Sequence, residues 1–226
     1  MIDERTKALY KDKFEKIKDL KVAVIGLGGV GSIVPIALAR SGVKKFLLID
    51  KDEVVFSNLN RQLAYFEKDV GKKKAYQMKE NLLMIRKDLD IEVLAENIDE
   101  NFNFDVFSEY EYILDCIDDI NAKILLLNYA KNNSKKIIVS LGMGKRYKAS
   151  EVMITNLEKT FNCPLAKKYR YLVRKENINP KDVLVAFSKE EVKEFDNSVI
   201  ASSFFVPNEA GLLIANYVLN DFLEIK

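Results

Sequence analysis

Short runs of consecutive apolar residues alternate along this chain with longer stretches in which apolar positions recur every three or four residues. Lys21-Val-Ala-Val-Ile25 and Phe46-Leu-Leu-Ile49 are apolar at both parities, as strands covered on both faces are. The segment from Gly29 to Ser41 between them has helical spacing, so the three form a βαβ unit. Gly71 to about Arg86 predicts another helix, and Ile91-Glu-Val-Leu94 alternates as a strand does. Tyr112-Ile-Leu114 and Ile137-Ile-Val139 are two further buried strands, separated by a helical stretch from about Asn121 to Ala130. Ahead of all these, Leu9, Phe14, Ile17 and Leu20 predict an amphipathic leading helix over residues 3–19.

Strand and helix alternating in this way predict an α/β fold: a Rossmann-type, mainly parallel sheet flanked by helices, with right-handed crossovers. After Ser140 the rhythm changes. Glu151-Val-Met-Ile-Thr155 and Val183-Leu-Val-Ala-Phe187 read as strands, with a basic helix from Pro164 to about Lys175 between them and a last helix from Glu209 to Phe222. This predicts a mixed or antiparallel C-terminal extension. Glu190 to Ser198 is polar and aperiodic, which predicts a mobile loop. The expected organisation is one domain over 1–226, with a nucleotide-binding core at 1–140 and a substrate-side extension at 141–226.

Composition adds exclusions. With 48% hydrophobic and 31% charged residues among 226, the chain can build a core and solvate a surface. Its 36 Lys and Arg against 34 Asp and Glu leave a formal charge of +2, so any attraction to nucleic acid must be local. There is no histidine, and only Cys116 and Cys163 as thiols, which excludes a histidine general base and a structural zinc site built from Cys and His. A charged N-terminus, no run of about 18 apolar residues and few cysteines predict a cytoplasmic protein with no membrane span.

The chemistry gathers in the first half. Gly26-Leu-Gly-Gly-Val-Gly31 lies between strand and helix, where Gly26, Gly28, Gly29 and Gly31 permit a tight turn and close approach of backbone N–H groups to phosphate. Asp50, after the second strand, stands where an acid accepts hydrogen bonds from ribose hydroxyls. To this point a dinucleotide fits equally well. Asn58, Arg61 and Gln62 within about one turn, and Lys74 at the head of the next helix, place two cations and two amides near the glycine loop. A triphosphate needs such cations, because negative charge builds on departing pyrophosphate. Asp118, past the strand Tyr112 to Leu114, is a candidate magnesium ligand, with Asp115 and Asp119 as nearby alternatives; Asp52 is either a site residue or a turn cap. Cys163, before proline, reads as a packed thiol or as a nucleophile that takes over an activated acyl group, and Cys116, at a strand end, reads as core.

In order, Arg5, Gly26–Gly31, Asp50-Lys-Asp52, Asn58-Leu-Asn-Arg-Gln62, Gly71-x-x-Lys74 and Asp115-Cys-Ile-Asp118 resemble the ubiquitin-activating-enzyme-like adenylyltransferase superfamily. The resemblance implies that the chain binds ATP and Mg2+ and adenylates a carboxylate. It implies that Asp50 binds ribose, Arg61 and Lys74 bind phosphates, and Asp118 holds magnesium. It also implies that Arg5 reaches the nucleotide of a partner subunit in a homodimer. Within that superfamily the C-terminal third resembles the tRNA threonylcarbamoyladenosine dehydratases, in Ser140-Leu-Gly-Met-Gly144 with Arg146, Thr160 to Arg170, Phe187-Ser-Lys and Phe205 to Gly211. The implied substrate is tRNA: its threonyl carboxylate is adenylated, and a ring then closes with loss of AMP. Arg146 is a candidate for meeting that carboxylate, and Lys167, Lys168 and Arg170, with Arg174 and Lys175, for meeting tRNA phosphates or forming only a solvated helix face. The family suggests a sulfur-relay or desulfurase partner as well. Activation of a sulfur-carrier protein's C-terminal glycine is the alternative within the superfamily. An NAD-dependent dehydrogenase or an inactive nucleotide-binding scaffold is the alternative outside it.

Overall fold

The computed structural model describes residues 2–192 and 201–225. Seven strands form one sheet in the order β3-β2-β1-β4-β5-β7-β6: β1 (Lys21–Ile25), β2 (Lys45–Ile49), β3 (Asp90–Leu94), β4 (Tyr112–Asp115), β5 (Lys136–Ser140), β6 (Val152–Asn156) and β7 (Leu184–Ser188). All neighbours are parallel except β6, which runs antiparallel to β7 at one edge. The expected extension is therefore part of the same sheet, with β7 paired directly on β5.

The strands alternate strictly, and this divides the core in two. Val22 and Val24, Phe46 and Leu48, Tyr112 and Leu114 face one cluster, against α3 (Val34–Arg40), α4 (Lys74–Ile85) and α7 (Phe205–Phe222). Ala23 and Ile25, Leu47 and Ile49, Ile113, Val139 and Val185 face the other, against α5 (Ile120–Asn132) and α6 (Pro164–Lys175). Burial on both faces is why these strands read as unbroken apolar runs.

Local chemistry moves some boundaries. The leading helix is broken into α1 (Glu4–Tyr10) and α2 (Phe14–Ile17), joined by a 3-10 turn after Lys11 takes φ +51°. The helix expected from Gly29 begins only at Val34, because the ring of Pro35 lacks an N–H and collides with the carbonyl four residues back. Helix α7 starts a turn earlier than its periodicity suggests, at Phe205. Of the loop expected at Glu190 to Ser198, residues 193–198 lie outside the described residues.

One buried ion pair joins three elements on the second face. Lys123 Nζ, on α5, donates to Asp115 Oδ1 at the end of β4 and to the Ser140 carbonyl at the end of β5, each at 2.8 Å. Neither charged side chain is exposed to solvent. Burial pushes the Asp115 carboxyl up, and Lys123 works against that shift.

Replacing Lys123 by methionine leaves the Asp115 charge uncompensated. Urea denaturation at neutral pH is expected to show a loss of about 3–5 kcal/mol. Without its counter-ion the folded state holds the Asp115 proton more tightly than the unfolded chain does. The loss therefore grows as pH rises above about 4, and adding Asp115→Asn recovers part of it. Equal stability of the single and double variants across pH would contradict the assignment.

Candidate active site

The strand order reverses between β1 and β4, so the segments leaving their carboxyl ends diverge and open a crevice. The chain leaves β1 at Gly26 with φ +83°, a conformation that a side chain disfavours. A Cβ here would lie 2.8 Å from the Cys116 carbonyl carbon and the Ile117 nitrogen. At Gly31 a Cβ would stand 1.8 Å from the Gly26 carbonyl oxygen. Backbone packs directly on backbone at both positions. The turn so held leaves the amides of Gly28, Gly29, Val30 and Gly31 without an acceptor among the described residues, just ahead of α3. A run of such N–H groups before a helix forms an anion-binding concavity, and phosphate oxygens fit it. Over Gly28 the nearest atom to a notional Cβ is Gln62 Nε2, at 3.7 Å.

Polar side chains surround this loop. Asp50, 8% exposed, accepts the Leu27 N–H at 2.6 Å and the Asp52 N–H at 2.8 Å. Its orientation is thus fixed by backbone, and each oxygen keeps a lone pair for a ribose hydroxyl. Burial pushes its carboxyl up, while the charge of Lys74 and the two N–H groups pull it down. Lys74, first residue of α4, is 5% exposed and pairs with Asp52 Oδ2 at 3.1 Å. Asp52 is thus a partner of Lys74, and its carbonyl also accepts the Lys74 N–H.

Arg61 lies over the loop, its Cδ and Cγ 3.5 and 3.6 Å from a notional Cβ on Gly29. Its Nη1 donates to the Ser57 carbonyl and to Asn60 Oδ1 at 2.8 Å each. Asn58 organises the turn that carries it: Oδ1 accepts the Val55 N–H at 3.3 Å and the carbonyl accepts the Arg61 and Gln62 amides. Gln62 is buried, and its Oε1 has no hydrogen-bond partner.

The three acids after β4 separate by environment. Asp115 is spent on Lys123, and Asp119 caps α5, accepting the amides of Asn121 and Ala122. Asp118 is exposed and has no partner among the described residues. Among the described residues no three Cys, Asp or Glu side chains converge on one point. A divalent cation here would therefore take Asp118 together with phosphate oxygens and water, the habit of magnesium.

Two of the candidate substrate residues are engaged by backbone or side chains of the same chain. Arg146 is 4% exposed, and its guanidinium donates to the carbonyls of Gly142, Gly144, Asn162 and Glu190, so it clamps the loop after β5. Arg170 is half-buried, and Nη2 donates to the carbonyl and hydroxyl of Thr160, each at 3.1 Å. Lys167 and Lys168 are exposed on α6. Arg5 is exposed on α1; its neighbour Asp3 pairs at 2.9 and 3.1 Å with Arg86, the residue after α4, and the 12 residues of α4 put about 18 Å between Arg86 and Lys74.

Asn208 and Tyr65 are site residues that sequence patterning does not single out. Asn208 Nδ2 donates to the Arg61 carbonyl at 2.8 Å, and Pro207 Cβ sits 3.4 Å from a notional Cβ on Gly29, so α7 braces the loop from the C-terminal side. The Tyr65 hydroxyl lies 3.1 Å from the Leu27 carbonyl and 3.3 Å from that of Lys74, tying the glycine loop to α4. An asparagine just after a proline in the first turns of a helix was the only hint of the former. Lys123 was hidden because a lone lysine on an amphipathic helix reads as solvated.

The family model for the ThiF family matches residues 4–205. The chain belongs to the ThiF family. Among ThiF-family relatives, the tRNA threonylcarbamoyladenosine dehydratase of Bacillus subtilis is 35% identical over 236 residues, spanning 96% of this chain and 92% of the relative. The Escherichia coli tRNA N6-threonylcarbamoyladenosine dehydratase superposes in its complex with ATP at a TM-score of 0.88 with 26% identity. In its complex with AMP the TM-score is 0.90 with 28% identity, and both superpositions cover 97% of this chain and 93% of that one. Among the described residues no helix is long and apolar enough to cross a membrane.

Neither thiol is placed for chemistry. Cys163 is buried beside Gly142, and burial pushes the Cys116 thiol up to about 12. Cys116 is therefore protonated at neutral pH. Maleimide labelling at about pH 8 is expected to leave it unmodified in the folded protein and to modify it in urea; rapid labelling of native protein at Cys116 would refute this.

Proposed function

We propose that this chain is an ATP-dependent tRNA threonylcarbamoyladenosine dehydratase acting in the cytoplasm. The observation that carries the reading is the reach of the similarity: it runs through the glycine loop and the C-terminal third alike, to 96% of the chain.

The residues divide the work as follows. The Gly28–Gly31 amides hold phosphate oxygens at the head of α3, and Asp50, fixed by two backbone N–H groups, orients the ribose. Arg61 and Lys74 stand as cations beside the loop, and Asp118 offers the carboxylate for magnesium, which when bound would neutralise phosphate charge. The threonyl carboxylate of the tRNA base attacks the α-phosphorus of ATP. A carboxyl-to-phosphorus oxygen bond forms, and the bond to pyrophosphate breaks. A carboxylate is already the nucleophile, so the absence of histidine costs nothing at this step. The carbamoyl group of the same side chain then attacks the acyl carbon: the new bond closes a ring, the bond to AMP breaks, and the carbamoyl N–H proton passes to solvent, favoured by nearness of the two groups.

Arg5 belongs to this reading as a residue given to a neighbour. Its chain neighbour Asp3 pairs with Arg86 just past the end of α4, and in this reading Arg5 completes the site of a second copy in a symmetric dimer.

Incubating the protein with ATP, magnesium and tRNA carrying the threonylcarbamoyl base should reduce that nucleoside's mass by one water. An unchanged mass would end the assignment. Lys74→Ala and Arg61→Ala should each slow the reaction by about 10²-fold or more. For the dimer, Arg5→Ala and Lys74→Ala proteins, each inactive alone, should regain activity when co-refolded, because one mixed site then has every group. Full activity from a monomer would refute that arrangement.

A further inference from the structure

We propose that the outward face of α6, formed by Lys167, Lys168, Tyr171, Arg174 and Lys175, is the surface on which the phosphate backbone of the RNA substrate lies. This rests on the reading of the chain as a tRNA-modifying enzyme and names where the tRNA is held.

The five residues fall at i, i+1, i+4, i+7 and i+8 and are all exposed, while Ala166, Tyr169 and Val173 on the opposite face are fully buried in the core. Helix α6, Pro-Leu-Ala-Lys-Lys-Tyr-Arg-Tyr-Leu-Val-Arg-Lys, carries no acid at all. None of the four cations has a carboxylate partner among the described residues, whereas Lys21, Lys44, Lys45, Lys72, Lys73, Lys74 and Lys136 are all ion-paired. The near-neutral net charge thus conceals a local concentration of uncompensated positive charge. Tyr171 stands amid it, 57% exposed, with Lys175 Nζ 4.8 Å from its ring centroid. Exposed aromatic faces among cations suit unpaired bases, which stack while phosphates meet the charges. An acidic protein would use the cations and leave the ring without a role.

Placement supports the same occupant. The start of α6 lies at the crevice edge of the sheet, since Cys163 Sγ and the Leu165 Cβ are each 3.9 Å from a notional Cβ on Gly142, just past β5. Helix α6 packs on α5, which begins directly after Asp118. From Lys167 to Lys175 the stripe extends about 12 Å outward, so an RNA lying along it has one end at the crevice. The inward hold of Arg170 on Thr160 fixes the helix in this attitude.

The test compares wild type with Lys167→Gln/Lys168→Gln/Arg174→Gln/Lys175→Gln and with Tyr171→Leu. Affinity for tRNA carrying the threonylcarbamoyl base is measured by fluorescence anisotropy over a series of salt concentrations, and the ATP-induced melting shift serves as the control for folding. The quadruple variant should lose tRNA affinity and flatten the slope of log affinity against log salt by about 2 to 3, with its ATP shift retained. Tyr171→Leu should weaken binding about tenfold with the slope unchanged. A quadruple variant with wild-type affinity and slope would place the tRNA elsewhere and overturn this inference alone. Failure of the wild type to bind tRNA would overturn the dehydratase reading with it. Loss of binding to an acidic carrier protein, with tRNA binding intact, would assign the face to that partner instead.

Discussion

The backbone contact between Gly31 and Gly26, each closed against the next turn of chain, is the constraint on which the site depends. With 1.8 Å between the Gly26 carbonyl oxygen and the place a side chain would occupy on Gly31, no other residue permits this curvature. The curvature leaves four successive amides without an acceptor among the described residues. Unpaired backbone donors are costly inside a protein, and such a row persists only where an anion or water satisfies it. The segment after β4 closes on the same turn from the other side, through Cys116 and Ile117, and so the placement of Asp118 follows from the position of Gly26.

Charge around the loop is arranged with unequal exposure. Lys74 is nearly sealed, while the Asp52 side chain that pairs with it is 55% exposed. The cation therefore sits where water screens it little, and the partner that balances it sits where water screens it well. An arriving phosphate meets a cation whose internal counter-charge is already weakened by solvent. Asp50 is sealed too, yet it is bound by two amides and by the field of Lys74, which keeps a carboxylate affordable at that depth.

How much of this is legible in sequence depends on how local the cause is. The strands, the glycine loop and the acid after β2 were legible because runs of apolar residues, glycine spacing and strand ends are properties of neighbours. Pro35 also carried its message locally, although helical spacing around it obscured where α3 starts. The surroundings of Arg146 and Arg170 are not legible in sequence, because an arginine's partners are carbonyls that meet it from distant segments, as Gly142, Asn162 and Glu190 do for Arg146. Lys123 and Asn208 were missed for the same reason: their partners Asp115, Ser140 and Arg61 come together only in the fold.

That dependence also ties the two halves of the chain together. Asn208 holds the backbone of Arg61 across 147 residues of sequence, and Pro207 lies against the loop at Gly29. Gly211, one turn further on, packs so closely that a Cβ there would lie 2.4 Å from the Val30 carbonyl oxygen. Helix α7 thus braces the glycine loop from the C-terminal half of the chain, on the sheet face opposite α6. The C-terminal third is a wall of the glycine-loop side, because the helix that follows β7 is the one that holds the backbone of Arg61.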